Sequence, residues 1–255
     1  MIRIKLKGSF LAILFSASIL LAAIPGGSLL TPLMGASLAE EMLGIEPSQV
    51  KGYYHISVLG DPHLPGRHLS LKEGVIDTIN NWDDVDEVVC VGDLSETVGT
   101  NGEFAVAKRY LAAFRKPLEV VNGNHDYVFA NEQTSGGHLT LANKEERMAK
   151  LERFRQTYGE LSTNKIVTFY SDGEEYSYHL IFLGVDSLTS PYYCCLSRKT
   201  QNWLKKVLNE NKGIPTIVFC HSPLWGRAVL QMNPKLAYFM TQPVEAMEEI
   251  VKEAP

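Results

Sequence analysis

The chain has 255 residues, 45% hydrophobic and 21% charged, with a formal net charge of -5. This is ordinary globular composition, enough for one α/β domain with a substantial core once a leader is set aside. Beyond the first few residues no Lys/Arg-rich block stands out, so no nucleic-acid partner is indicated, whereas a small phosphate ester stays compatible because bound metals supply positive charge locally.

A targeting segment is predicted over residues 1–39. Arg3, Lys5 and Lys7 form a basic start, and Phe10 to Ile24 is an apolar run broken by Pro25-Gly26-Gly27. Ser37-Leu38-Ala39 then offers small residues of the kind a signal peptidase reads. The run is short for a membrane span, which takes about 20 residues. A cleaved signal peptide and an uncleaved signal anchor both fit. Either puts the domain outside the cytoplasm, as a periplasmic, extracellular or outward-facing membrane-anchored protein. Residues 40–52 read as a connector and 53–255 as the domain.

Tyr53 to Leu59 is the first predicted strand of the domain, followed by a helix marked by Leu71, Val75, Ile79 and Trp82. Val88 to Val91 is a buried strand; Phe104, Ala107, Tyr110, Leu111 and Phe114 mark a second helix, stopped by Pro117. Leu118 to Val121 is a further strand, and the alternation implies parallel pairing with right-handed crossovers. Ala142 to Tyr158 is charged and periodic and reads as a solvent-facing helix. Lys165 to Tyr170 and Tyr176 to Val185 flank Ser171-Asp172-Gly173-Glu174-Glu175 as a hairpin. Trp203, Leu204, Val207 and Leu208 give another helix, Thr216 to Cys220 a strand, and Val244 to Lys252 a last helix. Cys90 and Cys220 sit inside strand patterns and read as buried small hydrophobes. With Cys194 and Cys195 they do not show disulfide-framework spacing.

Four polar clusters follow strand patterns directly. They are Asp61-Pro62-His63, Gly92-Asp93, Gly123-Asn124-His125-Asp126 and His221. Carboxylates, an amide and imidazoles at neighbouring strand ends are what a pair of hard-to-borderline divalent metals needs. Taken singly each cluster is weak, since a lone His or Gly-Asp after a strand is more often structural. Their order and placement together carry the signal.

The set resembles the calcineurin-like metallophosphoesterase family, in motif order from about Tyr53 to Pro223, with Gly-Asn-His-Asp the most specific piece. The resemblance implies an α/β fold: a two-sheet β-sandwich flanked by helices in α/β/β/α layers, with the site at the strand ends. It implies two divalent metal ions, Mn, Fe or Zn. Asp61 and His63 would bind the first, Asp93 would bridge, and Asn124 and His221 would bind the second. His125 would reach the substrate phosphate or leaving oxygen, oriented by Asp126. The implied reaction is hydrolysis of phosphate mono- or diesters by a hydroxide activated between the metals. A bridging carboxylate suits this, since it offsets the repulsion of dications about 3.5–4 Å apart.

Two departures from the family pattern matter. Glu96 stands where the purple acid phosphatase branch places a Tyr ligand, so a tyrosinate–iron centre is not expected and Glu96 reads as a solvated or capping residue. The family's closing Gly-His-x-His segment and its C-terminal strands are not reached before Pro255. That leaves each metal about three protein ligands from this chain. The reading is an incomplete copy of an active enzyme, the alternative a degenerate, non-catalytic protein of the same fold. Arg67 and His68 follow the first motif closely enough to contact a phosphate, although a plain surface-loop role is the preferred reading. Asp186 reads as a cap. Trp225 and Arg227 adjoin His221, and the segments Thr134 to Ala142 and Leu188 to Lys199 are the loops expected to set specificity.

Overall fold

The structure, a computed structural model, describes residues 11–14, 53–134, 136–171, 174–222, 241–243, 246, 247, 249 and 250. Among these, β1 (Leu11–Leu14) belongs to the segment predicted as a leader; the rest of that segment, the connector, Trp225 and Arg227 lie outside the described residues. The predicted strands of the domain appear as β2 (Ile56–Gly60), β3 (Glu87–Val91), β4 (Leu118–Val121), β5 (Ser162–Ser171), β6 (Glu174–Leu183) and β7 (Thr216–Cys220). Four helices are described: α1 (Leu69–Asn80), α2 (Asn101–Leu111), α3 (Lys144–Tyr158) and α4 (Arg198–Glu210). No helix among the described residues is long and apolar enough to cross a membrane.

β2, β3 and β4 form an all-parallel sheet with β3 in the middle. The second sheet runs β1-β7-β6-β5, parallel except for the antiparallel β5–β6 hairpin. Period-two alternation decides what each face meets. Val89, Val91 and Val121 of the first sheet meet Leu180, Phe182, Ile217 and Phe219 of the second, and Phe182 stacks on Phe219 at 5.3 Å. The intervening residues turn the other way. Val88 packs with Ile79 of α1, Cys90 with Phe104 and Ala107 of α2, and Ile181, Val218 and Cys220 with Leu204 and Val207 of α4. The result is the expected helix–sheet–sheet–helix layering. Lys165 of β5 fastens the two sheets by pairing with the fully buried Glu87 and with Glu119 (3.0 Å).

Helix starts follow local chemistry. Thr100 caps α2 in a reciprocal box with Glu103, and Asn143 accepts from the Glu146 N–H at the start of α3. Asp186 accepts from Ser197 N and Oγ and from Thr200 Oγ1, so it clamps the first turn of α4 as the sequence indicated. Of the predicted last helix, the described Ala246, Met247, Glu249 and Ile250 are helical.

The solvent-facing reading of α3 is corrected. Arg147, Lys150, Leu151 and Phe154 are buried, while the apolar Met148 is exposed. A buried charge is costly unless its donors are satisfied, and carbonyl acceptors meet most of them here, Arg153 Nε being the exception. Arg147 donates to the carbonyls of Ala142, Ser187 and Ser190. Lys150 Nζ donates to Val98 O (2.7 Å) and Phe129 O (2.5 Å) and pairs with Glu146 (3.3 Å), which uses all three of its N–H donors. Arg153 donates to Gly99 O and Asn101 Oδ1. The charges face loop backbone rather than water.

Candidate metal centre

In-register pairing sets Gly60, Val91 and Val121 level across the first sheet, so the residues that follow all emerge at one edge. β7 brings His221 to the same edge from the facing sheet. Three of the polar residues there have left-handed backbone: Asp61 (φ 48), His63 (φ 43) and Asp93 (φ 48). Such conformations cost about 1–3 kcal/mol each and persist only where neighbours over-determine them. The neighbours are cross-loop hydrogen bonds, His63 N to Asp93 O (2.9 Å), Leu64 N to Leu94 O (2.7 Å) and Glu96 N to Leu64 O (3.0 Å). Lys72 of α1 adds a bond to the His63 carbonyl (2.9 Å).

Two glycines make room. A Cβ on Gly92 would meet the His221 ring at 2.6–2.7 Å, and one on Gly123 would lie 2.3 Å from Asp93 Oδ1 and 2.4 Å from Asp93 N. The motif glycines therefore let an imidazole and a carboxylate lie directly on the chain.

Asp93 is the centre of the cluster. Its Oδ2 lies 3.6 Å from His63 Nε2 and 3.9 Å from His125 Nε2, and its Oδ1 lies 3.4 Å from His221 Nε2. Two groups of ligand atoms, each within 4.8 Å of one another, share it: His63–Asp93–His125 and Asp61–Asp93–His221. The sequence expectation paired Asp61 with His63 and kept His125 for substrate. In the structure Asp61 groups with His221, and His125 with His63. Asn124 Oδ1 is 3.0 Å from His221 Nε2 and accepts a weak bond from the buried Cys194 thiol (3.6 Å).

His125 is fixed from behind. Its Nδ1 donates to Thr97 O (2.6 Å), and its ring tilts against Phe129 at 5.0 Å. The expected orienting partner, Asp126, does something else. Its oxygens accept from Ser95 N (2.9 Å) and Gly123 N (2.8 Å), tying the loop after β3 to the turn after β4. Thr97 thus takes the orienting role, and a backbone carbonyl leaves no signal in a sequence. Glu96 is exposed and accepts from Gly66 N (3.1 Å), a loop-capping role. Arg67 and His68 are exposed in the loop that enters α1.

The charge balance favours a cation. His221 is buried, which alone would lower its pKa, but the Asp93 and Asp61 carboxylates outweigh burial and raise it to about 9. Both its nitrogens donate, Nδ1 to Val91 O (3.1 Å) and Nε2 to Asn124 Oδ1, so it stands as imidazolium. Asp61 Oδ1, 3.2 Å from that Nδ1, is nonetheless a buried carboxylate oxygen without a hydrogen bond. Burial and the neighbouring Asp93 also push Asp126 up to about 6. A buried carboxylate oxygen without a hydrogen bond, a carboxylate facing two donor groups and imidazoles held at neighbouring strand ends fit divalent cations. Asp61, Asp93 and His221, with Asn124 Oδ1 beside His221 Nε2, would hold a cation on one side of Asp93, and His63 and His125 face its other oxygen.

A pH dependence follows with a definite sign. A histidine whose folded pKa exceeds its unfolded value of about 6.5 stabilises fully below that value and loses the contribution as pH rises through about 9. Each unit is worth about 1.4 kcal/mol, against a total stability of about 5–15 kcal/mol for a domain. Metal-free protein is expected to lose urea resistance between pH 6.5 and 9, and saturating Mn or Zn to abolish that loss. Proton release on cation binding, followed at pH 7.5 with an indicator dye, checks the same linkage.

A model of the family described as calcineurin-like phosphoesterase matches residues 54–245. No curated protein matches the sequence. Among solved structures the chain is similar to one described as GAP50, the anchor in the inner membrane complex of Plasmodium, at 17% identity and a TM-score of 0.48. That similarity covers 79% of this chain and 62% of the other, so the chain spans less than two thirds of that protein's length.

Proposed function

The chain belongs to the calcineurin-like phosphoesterase family, and from that membership we propose that it hydrolyses phosphate mono- or diesters with two divalent cations. The observation that carries the reading is the position of Asp93, which turns Oδ1 to one donor group and Oδ2 to another. Bound cations would supply Lewis acidity toward the phosphoryl oxygens and acidify water at neutral pH.

The rest falls to this chain's own side chains. Asp61 contributes a carboxylate oxygen free of hydrogen bonds, and His221 sheds its proton to become a donor. Asn124 ligates without adding negative charge to a site that must receive a phosphate. His125 keeps its Nδ1 proton on Thr97 O and turns Nε2 toward the cluster, so that a second proton carried on Nε2 passes to the leaving oxygen and the ring returns to neutral imidazole. Arg67 and His68, exposed in the loop that follows His63, would be the side chains to meet the phosphate. The substrate is a small phosphate ester, and the basic and apolar start of the chain supports export or outward anchoring, which would require β1 to leave its place beside β7.

The test is an assay of the full chain on chromogenic phosphate mono- and diesters across Mn, Fe and Zn. Activity that chelation removes and one of these cations restores supports the reading. Cation binding at the cluster with no turnover on either ester class would favour the non-catalytic alternative instead.

A further inference from the structure

We propose that Lys150 of α3 is a positioning residue for His125, which deepens the phosphoesterase reading and rests on it. The ammonium group is buried and bridges two backbone carbonyls, Val98 O at 2.7 Å and Phe129 O at 2.5 Å. Each carbonyl belongs to a segment that touches the His125 imidazole from a different side. Val98 follows Thr97, whose carbonyl receives the Nδ1 proton at 2.6 Å. Phe129 lays its ring 5.0 Å from the imidazole at 57°. One cation therefore draws together the acceptor at the ring edge and the aromatic against the ring, and Arg153 reinforces the first segment at Gly99 O.

The consequence is chemical as well as structural. With Thr97 O held in place, the Nδ1–H is held away from the cluster and Nε2, the nitrogen that carries the proton to be delivered, points at it, 3.9 Å from Asp93 Oδ2. A loosened loop would let the imidazole rotate or change tautomer, and proton delivery to a leaving oxygen would fail first. Substrates that need no proton delivery would be spared. Lys150 is more than 50 positions from Thr97 in sequence and touches no cluster atom in the contacts above, so this coupling is visible only in the fold.

The experiment uses the full chain loaded with its best cation and two esters of the class it hydrolyses. One has a 4-nitrophenyl leaving group, which departs unaided, and the other an alkyl leaving group, which needs a proton. His125→Asn should lose alkyl turnover by about 100-fold or more and 4-nitrophenyl turnover much less. Lys150→Met should shift the alkyl-to-nitrophenyl kcat ratio in the same direction by about tenfold. The double variant should be no worse on the alkyl ester than His125→Asn alone.

The ratio is taken within one preparation, so a reduced folded fraction cancels, and a purely structural role would leave it unmoved. Lys150→Gln, shorter and neutral, must move the ratio the same way if Lys150→Met does not fold. An unchanged ratio in whichever variant folds, or additive losses in the double variant, overturns the proposal while leaving the phosphoesterase reading intact. A parent chain inactive on both esters overturns both.

Discussion

Asp93→Asn is expected to lower turnover by about 1,000-fold or more while the domain stays folded. A factor of that size corresponds to about 4 kcal/mol of transition-state stabilisation, within what a charged clamp on a transferring phosphoryl group supplies. Its origin is the division of labour between the two carboxylate oxygens, Oδ2 facing His63 and His125 and Oδ1 facing His221. An asparagine keeps one carbonyl oxygen and turns an NH2 donor toward the other group, so it serves one side and repels a cation on the other. The variant should bind cations with lower stoichiometry, measured by metal analysis after gel filtration, and its far-UV circular dichroism should match the parent. Removing the charge also takes away the leading electrostatic contribution that raises His221, so its pKa should fall toward the ordinary histidine range. Parent-like turnover in Asp93→Asn would mean that this carboxylate is not shared.

The strands and the motif residues at their ends were legible because the fold imposes itself on the sequence there. Strands buried on both faces tend to be continuously apolar, as the wholly buried β7 shows, and its predicted bounds coincide with the observed Thr216–Cys220, as those of the half-buried β4 do with Leu118–Val121. The polar residues just beyond such runs have no place in the sheet, which makes them conspicuous. α3 shows the opposite case. Charged residues are normally solvated, so Arg147, Lys150 and Arg153 suggested an outward face, yet their acceptors are carbonyls of loops far away in sequence. One signal was present: the three cations recur every third residue, and Leu151 and Phe154 share their inward stripe. A polar stripe of that kind beside an apolar one is compatible with burial against loop backbone.

The same physics explains why the site needs a helix of this composition. Loops that end parallel strands leave carbonyls without sheet partners, and burying them demands donors. Lys72 serves the loop after β2, Lys150 and Arg153 that after β3, Lys150 also that after β4, and Arg147 the segment after β6. Long cationic side chains reach these carbonyls from elements packed behind, so loops that carry the chemistry acquire the rigidity of the scaffold. The order of groups around the cluster was not legible for a related reason. Asp61 and His63 are neighbours in sequence and both have left-handed backbone, yet Asp61 groups with His221 of the facing sheet and His63 with His125, on either side of Asp93.

Gly123→Ala is expected to be the most damaging change that alters no functional group. The new methyl would lie 2.3 Å from Asp93 Oδ1 and, decisively, 2.4 Å from Asp93 N, an atom of the backbone that cannot swing aside. Relief requires the turn after β4 to part from the loop after β3, and the bonds broken on the way include Ser95 N to Asp126 and His125 N to Asp93. Overpacking of this kind costs about 1–3 kcal/mol of stability. The functional loss should be larger, about 100-fold or more in turnover, because an ångström of displacement at a shared carboxylate disturbs both donor groups at once. Gly74→Ala in α1 is the matched control. A Cβ there meets nothing within 4 Å, so the helix should gain about 0.5–1 kcal/mol and turnover should not change. Urea unfolding and cation titration of the two variants side by side separate steric intrusion at the cluster from a general intolerance of added methyl groups. If Gly123→Ala bound two cations with parent affinity, Asp93 and the turn after β4 would not be in the contact described, and the geometry proposed for the centre would fail with it.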